Sequence, residues 1–286
     1  MKNIFIKDRK YLILFSLFLL SILSCENAET IKTKTQSHNK KIEEQTTEQI
    51  KYNLVYTKYK LPLPLELFNF LEKYSQFNEE YLNSTKDIEK YFTEIEKAII
   101  LGIYTTDFAY CNIFANSNLS VVYFETSKLI ANSINIEVGY NQNFVERIEA
   151  NNNNKDSLVL IADESYWKAC NHLEETGQKN ILPFVVFGTW IEGVYIISQS
   201  KESVPETRIK EHVFNKKEGL ENIINYLYDV QIETSAFYYN DDLKKIIKKL
   251  EILLSLYEKY ELQNSNENYS EIEKEITKIR NFAIQL

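Results

Sequence analysis

The stretch ILPFVVFGTWIEGVYII, residues 181–197, decides the fold that we predict for this chain. It is apolar on every side of a helix, with Thr189 and Glu192 as the polar exceptions. A helix without a polar face is buried, either in a protein core or in a membrane. The stretch is a little short for a bilayer, which takes about 20 apolar residues. We therefore expect a buried central helix that has Pro183 in its first turn and close backbone neighbours at Gly188 and Gly193.

Glu192 has a counterpart earlier in the chain. The stretch LGIYTTDFAY, residues 101–110, places Asp107 among apolar and aromatic side chains. In both stretches an acid stands three residues before a tyrosine, so each acid is expected to share a helix face with that tyrosine. The loose match aligns Gly102, Tyr104, Asp107 and Tyr110 with Gly188, Trp190, Glu192 and Tyr195.

The two acids allow two interpretations. In the first, Asp107 and Glu192 form a paired-carboxylate site for acid–base chemistry or for a cation. In the second, which we favour, each is a buried structural acid held by a tyrosine hydroxyl, an arginine or a helix N-terminus. The sequence does not assign a partner among the arginines that follow residue 25. The candidate buried polar site comprises Asp107, Glu192, Tyr104, Tyr110, Trp190 and Tyr195.

Apolar residues at helical spacing predict further helices along the chain. Pro62 and Pro64 indicate a helix start. Ser84 with Asp87 resembles a capping box for a helix whose apolar residues recur at helical spacing over 88–99. Gly177 ends another helix. A short strand at 53–59 would not make a sheet by itself. The remaining helices are predicted at 118–133, 141–148, 156–176, 218–232, 241–262 and 270–284, the last two as a closing antiparallel pair.

Glycine and proline are scarce, with 6 and 4 in 286 residues, whereas a sheet-rich fold usually shows more turn residues. We predict an all-α fold, a single multi-helix bundle domain over residues 52–286. The aromatic stretch from Tyr226 to Tyr239 is either a binding face or a loop that packs on the bundle, and we favour the loop. Cys111 and Cys170 are either a disulfide or two buried free thiols.

The N-terminus predicts a lipoprotein signal peptide at residues 1–24. Basic residues precede an almost wholly apolar run from Tyr11 to Leu23, and Ser24 stands directly before Cys25. This order looks like the lipobox of bacterial lipoproteins, in which the residue matching Cys25 is acylated, with palmitate for example, and becomes the new N-terminus. An ordinary cleaved signal and an uncleaved anchor are the less favoured alternatives. Residues 25–51 are polar and predict a flexible, lipid-anchored tether.

Several function classes lack support in the sequence. The net charge of −8 argues against nucleic acid as a partner. Phosphate-binding loops, G-x-S-x-G, H-E-x-x-H and C-x-x-C are absent from the sequence. Histidines and cysteines do not cluster, so we predict neither a metal nor a cofactor. We lean toward a chain that is not an enzyme.

The LGIYTTDFAY and GTWIEGVY stretches resemble the two signature segments of a family of uncharacterised, all-helical bacterial envelope lipoproteins. The resemblance covers about residues 65–260, and Thr105 departs from it where a small residue is expected. No activity is assigned to that family, so the resemblance implies location and fold alone.

Two functions follow as hypotheses. The favoured one is a membrane-anchored lipoprotein with a non-enzymatic binding or scaffold role, whose helical domain lies in the periplasm or at the surface. It contacts the lipid bilayer through acylated Cys25 and leaves room for a protein partner in the envelope. Glu26 after the cysteine favours the outer membrane. The alternative is a small-ligand receptor or hydrolase that uses Asp107 and Glu192 in an interhelical cleft.

Overall fold

The computed structural model describes residues 68, 70–86, 88–136, 142–151, 154–178, 180–202, 204–233, 240–263 and 266–286. The chain's contacts divide it into the units Met1–Leu54 and Val55–Leu286, and all described residues belong to the second. The predicted signal peptide, Cys25, the tether and the strand at 53–59 lie outside the described residues. So does the proline-initiated start of the first predicted helix.

The described part is helical and contains no strand, which confirms the predicted all-α class there. Three short turns come first, at Leu71–Tyr74, Glu79–Tyr81 and Ile88–Lys90. Nine helices of nine residues or more follow in this part of the chain. They are α1 Glu94–Ile113, α2 Ser117–Ser133, α3 Gln142–Ala150, α4 Lys155–Glu175, α5 Leu182–Gln199, α6 Glu206–Phe214, α7 Lys217–Glu233, α8 Asp241–Gln263 and α9 Asn266–Ala283.

The predicted buried helix is α5. Pro183 stands in its first turn, and all of its residues except Tyr195 and Gln199 are buried. Within the described residues, α5 is the one helix long and apolar enough to cross a membrane, with a mean hydropathy of 1.2 over its 18 residues. Because 89% of that stretch is buried inside the protein, its apolar surface is already covered by other helices.

Helix α1 is a second buried helix, enclosed from Ala98 to its last residue. The prediction that Ser84 and Asp87 open this helix is wrong. The capping box is instead Thr93 with Glu96, whose side chains each accept the other residue's backbone N–H. The Ser84 hydroxyl accepts the Lys86 amide at 3.3 Å in a non-helical segment.

Helices α1 and α5 touch through their backbones. A Cβ atom at Gly102 would overlap the carbonyl oxygen of Val185, and one at Gly188 would overlap the carbonyl oxygen of Ile99. The Thr106 hydroxyl donates across this contact to the Thr189 carbonyl oxygen at 3.2 Å. The crossing therefore needs glycine on both helices, as the sequence predicted for Gly188.

The other helices surround this crossing. Helices α2 and α4 pack against α1, while α6, α7 and α9 pack against α5. Helix α8 packs between α7 and α9, and Lys259 bonds to Glu271 at 2.9 Å across the predicted closing pair. The sequence did not predict α6. The remaining predicted helices agree with α2, α3, α4, α7, α8 and α9 to within a few residues.

Candidate functional site: a sealed acid pair

Glu192 lies on the α5 face that meets α9, and Arg280 of α9 is its partner. The Nε of Arg280 donates to Oε2 at 3.0 Å and its second guanidinium nitrogen, Nη2, donates to Oε1 at 3.1 Å. Glu192 is 0% exposed and Arg280 is 8% exposed. Two parallel hydrogen bonds between a guanidinium and a carboxylate give both energy and a fixed geometry. This pair fixes the register of α9 on α5.

Asp107 lies on α1 and is also 0% exposed. Its Oδ2 accepts the backbone N–H of Asn83 at 3.1 Å. Its Oδ1 receives no N–H or O–H group from the described residues. The charge of Glu192 nevertheless acts on the carboxyl group of Asp107, so the two acids influence each other in the core. The structure thus brings together the two acids that the sequence analysis singled out.

The surroundings of Asp107 favour its neutral form. Burial raises the pKa of Asp107 well above its ordinary value, and the negative charge of Glu192 raises it further. The guanidinium of Arg280 and the amide of Asn83 lower it, without restoring the ordinary value. One guanidinium then neutralises one carboxylate, so the sealed cluster carries no net charge. That balance avoids the large cost of an unpaired buried charge.

Tyr195 and Tyr110 of the candidate site contact groups other than the two carboxylates. The Tyr195 ring lies under the Arg280 guanidinium, with 4.7 Å from the ring centroid to Cζ, in a cation–π contact. The Tyr110 hydroxyl accepts the Asn78 amide rather than bonding to Asp107. Trp190 is 0% exposed, and its Nε1 has no hydrogen-bond partner among the described residues.

Four buried side chains of α1 and α2 hold the backbone of residues 78–84, which precede α1. Tyr110 and Asp107 accept the amides of Asn78 and Asn83, as given above. The Tyr123 hydroxyl donates to the Asn83 carbonyl oxygen at 2.8 Å. The Tyr104 hydroxyl donates to the Ser84 carbonyl oxygen at 2.8 Å. Since backbone groups are the partners, these contacts leave no pattern in the sequence of residues 78–84.

Sequence reasoning missed Arg280, Asn83 and Tyr123 as members of this site. Arg280 did carry a signal, because it lies four residues after Ile276, on the side of α9 that is buried. An arginine on a buried face is rarely left without a partner. Asn83 and Tyr123 carried no comparable signal, because their part in the site runs through backbone groups.

Other features of the described part lie away from the acid pair. A surface cavity of about 440 Å³ at the turn between α1 and α2 is lined by Phe77, Phe114 and residues 115–118. No group of three or more histidine, cysteine or acidic side chains in the described residues is placed to hold a metal ion. Cys111 and Cys170 are both buried free thiols, which is one of the two alternatives left open by the sequence.

Comparisons of this chain with protein families, with characterised proteins and with solved structures found no match. The resemblance to envelope lipoproteins therefore stays an expectation that depends on the two quoted stretches.

Proposed function

We propose that this chain is a lipid-anchored protein of the bacterial cell envelope, attached through acylated Cys25, whose helical domain has a non-enzymatic binding or scaffold role. The observation that carries the non-enzymatic role is the complete burial of Asp107 and Glu192. A general acid or base must come within hydrogen-bond reach of its substrate. Both carboxyl groups instead have partners within the protein, Asn83 and Arg280.

The anchor is supported by the order of the N-terminal sequence and by the polar stretch after Cys25. One acyl chain gives marginal membrane binding, and stable attachment needs more than one. Lipoproteins of this kind carry several chains on the cysteine, so stable attachment is expected. The outer membrane is the proposed location, and the lipid bilayer is the proposed partner of the N-terminus.

The test of the anchor compares the full chain with its Cys25→Ala variant in a Gram-negative host supplied with an alkyne analogue of palmitate. We expect labelled wild-type protein in the membrane fraction and no label on the variant. Unlabelled wild-type protein released in soluble form would indicate an ordinary cleaved signal. Unlabelled wild-type protein of full length in the membrane would indicate an uncleaved anchor. Either result would overturn the proposed anchor.

The test of the non-enzymatic role uses Asp107→Asn in the same host, with chemical crosslinking of intact cells. A binding or scaffold domain is expected to crosslink to the same envelope proteins in wild-type and variant form, because Asp107 does not reach the surface. Loss of these crosslinks from a variant that remains folded would contradict a purely structural role for Asp107.

The alternative, a small-ligand receptor or hydrolase, is favoured by one observation. Burial raises the pKa of Asp107, and the charge of Glu192 raises it further, as in paired catalytic acids. This function requires a state in which the pair reaches solvent. A ligand-dependent rise in thermal stability that disappears in Asp107→Asn would support it.

A further inference from the structure

Residues 75–86, here called the strap, run from the turn Leu71–Tyr74 toward the turn Ile88–Lys90. Apart from the 3-10 turn Glu79–Tyr81, the strap has no regular structure. Its outer side chains are exposed, among them Gln76, Ser84 and Lys86. Its inner attachments are the four hydrogen bonds from Tyr104, Asp107, Tyr110 and Tyr123.

The strap contacts Asp107 through Asn83. Asn83 is 6% exposed, and its amide lies 3.1 Å from Oδ2 of Asp107. The neighbouring strap residue Ser84 is exposed. Within two residues, Asn83 and Ser84, the strap therefore runs from a contact with this carboxyl group to the protein surface. If the strap lifts, Asp107 loses the Asn83 amide and gains water.

We propose that the strap is a latch whose closing takes up one proton on Asp107, so that the strap opens more readily as the pH rises. The closed form holds two carboxyl groups and one guanidinium in a sealed volume, and it balances their charge by keeping Asp107 neutral. The open form places Asp107 in water, where it ionises. A proton bound in one form and released in the other couples the two equilibria.

The sign follows from the raised pKa of the closed form, whose causes are burial first and the charge of Glu192 second. Below the ordinary pKa of 3.8, both forms are protonated and pH has no effect through this group. Above it, the open form releases its proton and gains stability. The opening constant then rises by up to about tenfold per pH unit, until Asp107 ionises in the closed form as well.

The groups that face Asp107 come from each element around it. Glu192 of α5 and Arg280 of α9 act on it in opposite directions. Titratable groups of α1 and α2 that interact with it electrostatically keep their protons, because burial, first among the causes, raises the pKa of each hydroxyl or thiol. On α4, Glu164 pairs with Arg147 and Lys168 instead. The neutral groups are Tyr104, Cys111, Tyr123 and, from α5, Tyr195.

This latch goes beyond the proposed envelope role and uses no part of the anchor at Cys25. Its test is amide hydrogen exchange of the full chain in detergent micelles between about pH 5 and pH 8, with rates divided by the intrinsic exchange rate at each pH. The reporter is the peptide that covers the strap, and the reference is a peptide from α5. Asp107→Asn is the test variant, because its amide oxygen can accept the Asn83 N–H while the side chain does not titrate.

Wild-type protection of the strap is expected to fall with rising pH, by up to about tenfold per unit, while protection in Asp107→Asn stays flat. Tyr123→Phe is the matched control. It removes the hydroxyl bond to Asn83 and is expected to lower strap protection by about two- to tenfold at every pH, with the wild-type slope retained. The α5 peptide is expected to remain far better protected in all three proteins.

Two results would overturn the latch. The first is a pH slope that is the same in wild type and Asp107→Asn, since the proton would then come from another group. The second is exchange of the strap and of α5 at one common rate, since the strap would then open by global unfolding alone. If Asp107→Asn fails to fold, Tyr123→Phe still tests the latch. Strap protection that does not change with pH in Tyr123→Phe would also exclude proton uptake on Asp107.

Discussion

Arg280 binds both carboxylate oxygens of Glu192, at 3.0 and 3.1 Å, in a part of the core where the carboxylate is 0% exposed. Residue 280 lies far along the chain from residue 192, so this contact forms only when α9 docks on α5. Removing one partner of such a pair leaves the other charge buried without compensation, which is the costly event. The pair thus makes the position of α9 depend on one side chain of α5.

Glu192→Gln is expected to destabilise the domain by about 3–5 kcal/mol, because the Arg280 guanidinium stays buried without its counter-charge. The measurement is urea unfolding of the full chain in detergent, followed by circular dichroism. The matched control is Glu211→Gln, which breaks the pair of Arg208 with Glu211, where both side chains are more than half exposed. That change is expected to cost less than about 1 kcal/mol. Equal losses of stability in the two variants would contradict a larger contribution from the buried pair than from the exposed one.

Asp107→Asn, unlike Glu192→Gln, is expected to make the domain more stable than the wild type above about pH 4. The raised pKa of Asp107, due first to burial and then to Glu192, means that its contribution is fully present below pH 3.8 and is lost as the pH rises through the folded-state value. The wild type should therefore lose stability relative to the variant on raising the pH above about 4, by up to about 1.4 kcal/mol per unit. Urea unfolding of both proteins at several pH values measures the difference. A difference that does not change with pH would contradict a protonated Asp107.

Gly188→Ala is expected to destabilise the crossing of α1 and α5 by about 1–3 kcal/mol or more, because the new methyl group would overlap the Ile99 carbonyl oxygen. The control is Gly177→Ala at the end of α4, where φ is +77° and no atom lies within 4 Å of the added Cβ. Strain from the left-handed backbone alone costs about 1–2 kcal/mol there. Thermal unfolding of both variants tests whether close packing adds to the cost at Gly188.

Much of the architecture could be predicted because the decisive signals are local. The apolar stretch of α5 and the glycine in its middle predicted burial and a close crossing, and both are present. The start of α1 was wrong because Ser84 and Asp87 have the spacing of a capping box, whereas Thr93 and Glu96 have the same spacing and form the real one. Spacing alone does not distinguish the two.

The candidate site could be predicted in part. Buried acids in apolar helices are recognisable, so Asp107 and Glu192 were found, and both lie in one cluster. Their partners depend on tertiary packing. Arg280 lies on the buried side of its helix, but the helical pattern does not say which acid it meets. The Asn83 amide belongs to the backbone, so its contact with Asp107 leaves no mark on the sequence.

Ala115→Gly is expected to stabilise the domain. Ala115 follows α1 with φ of +53°, the left-handed conformation at which helices commonly end in glycine. Its side chain is exposed, so its removal sacrifices little packing. Relief of the left-handed strain outweighs the greater chain entropy of glycine in the unfolded state, which leaves a gain of about 0.5–1 kcal/mol. The measurement is the urea midpoint of the full chain, and Asn135→Gly is the comparison, because Asn135 has φ of +59° and asparagine tolerates this conformation. A larger gain in stability from Asn135→Gly than from Ala115→Gly would contradict the prediction, because the left-handed backbone at Ala115 would then carry no strain for glycine to relieve.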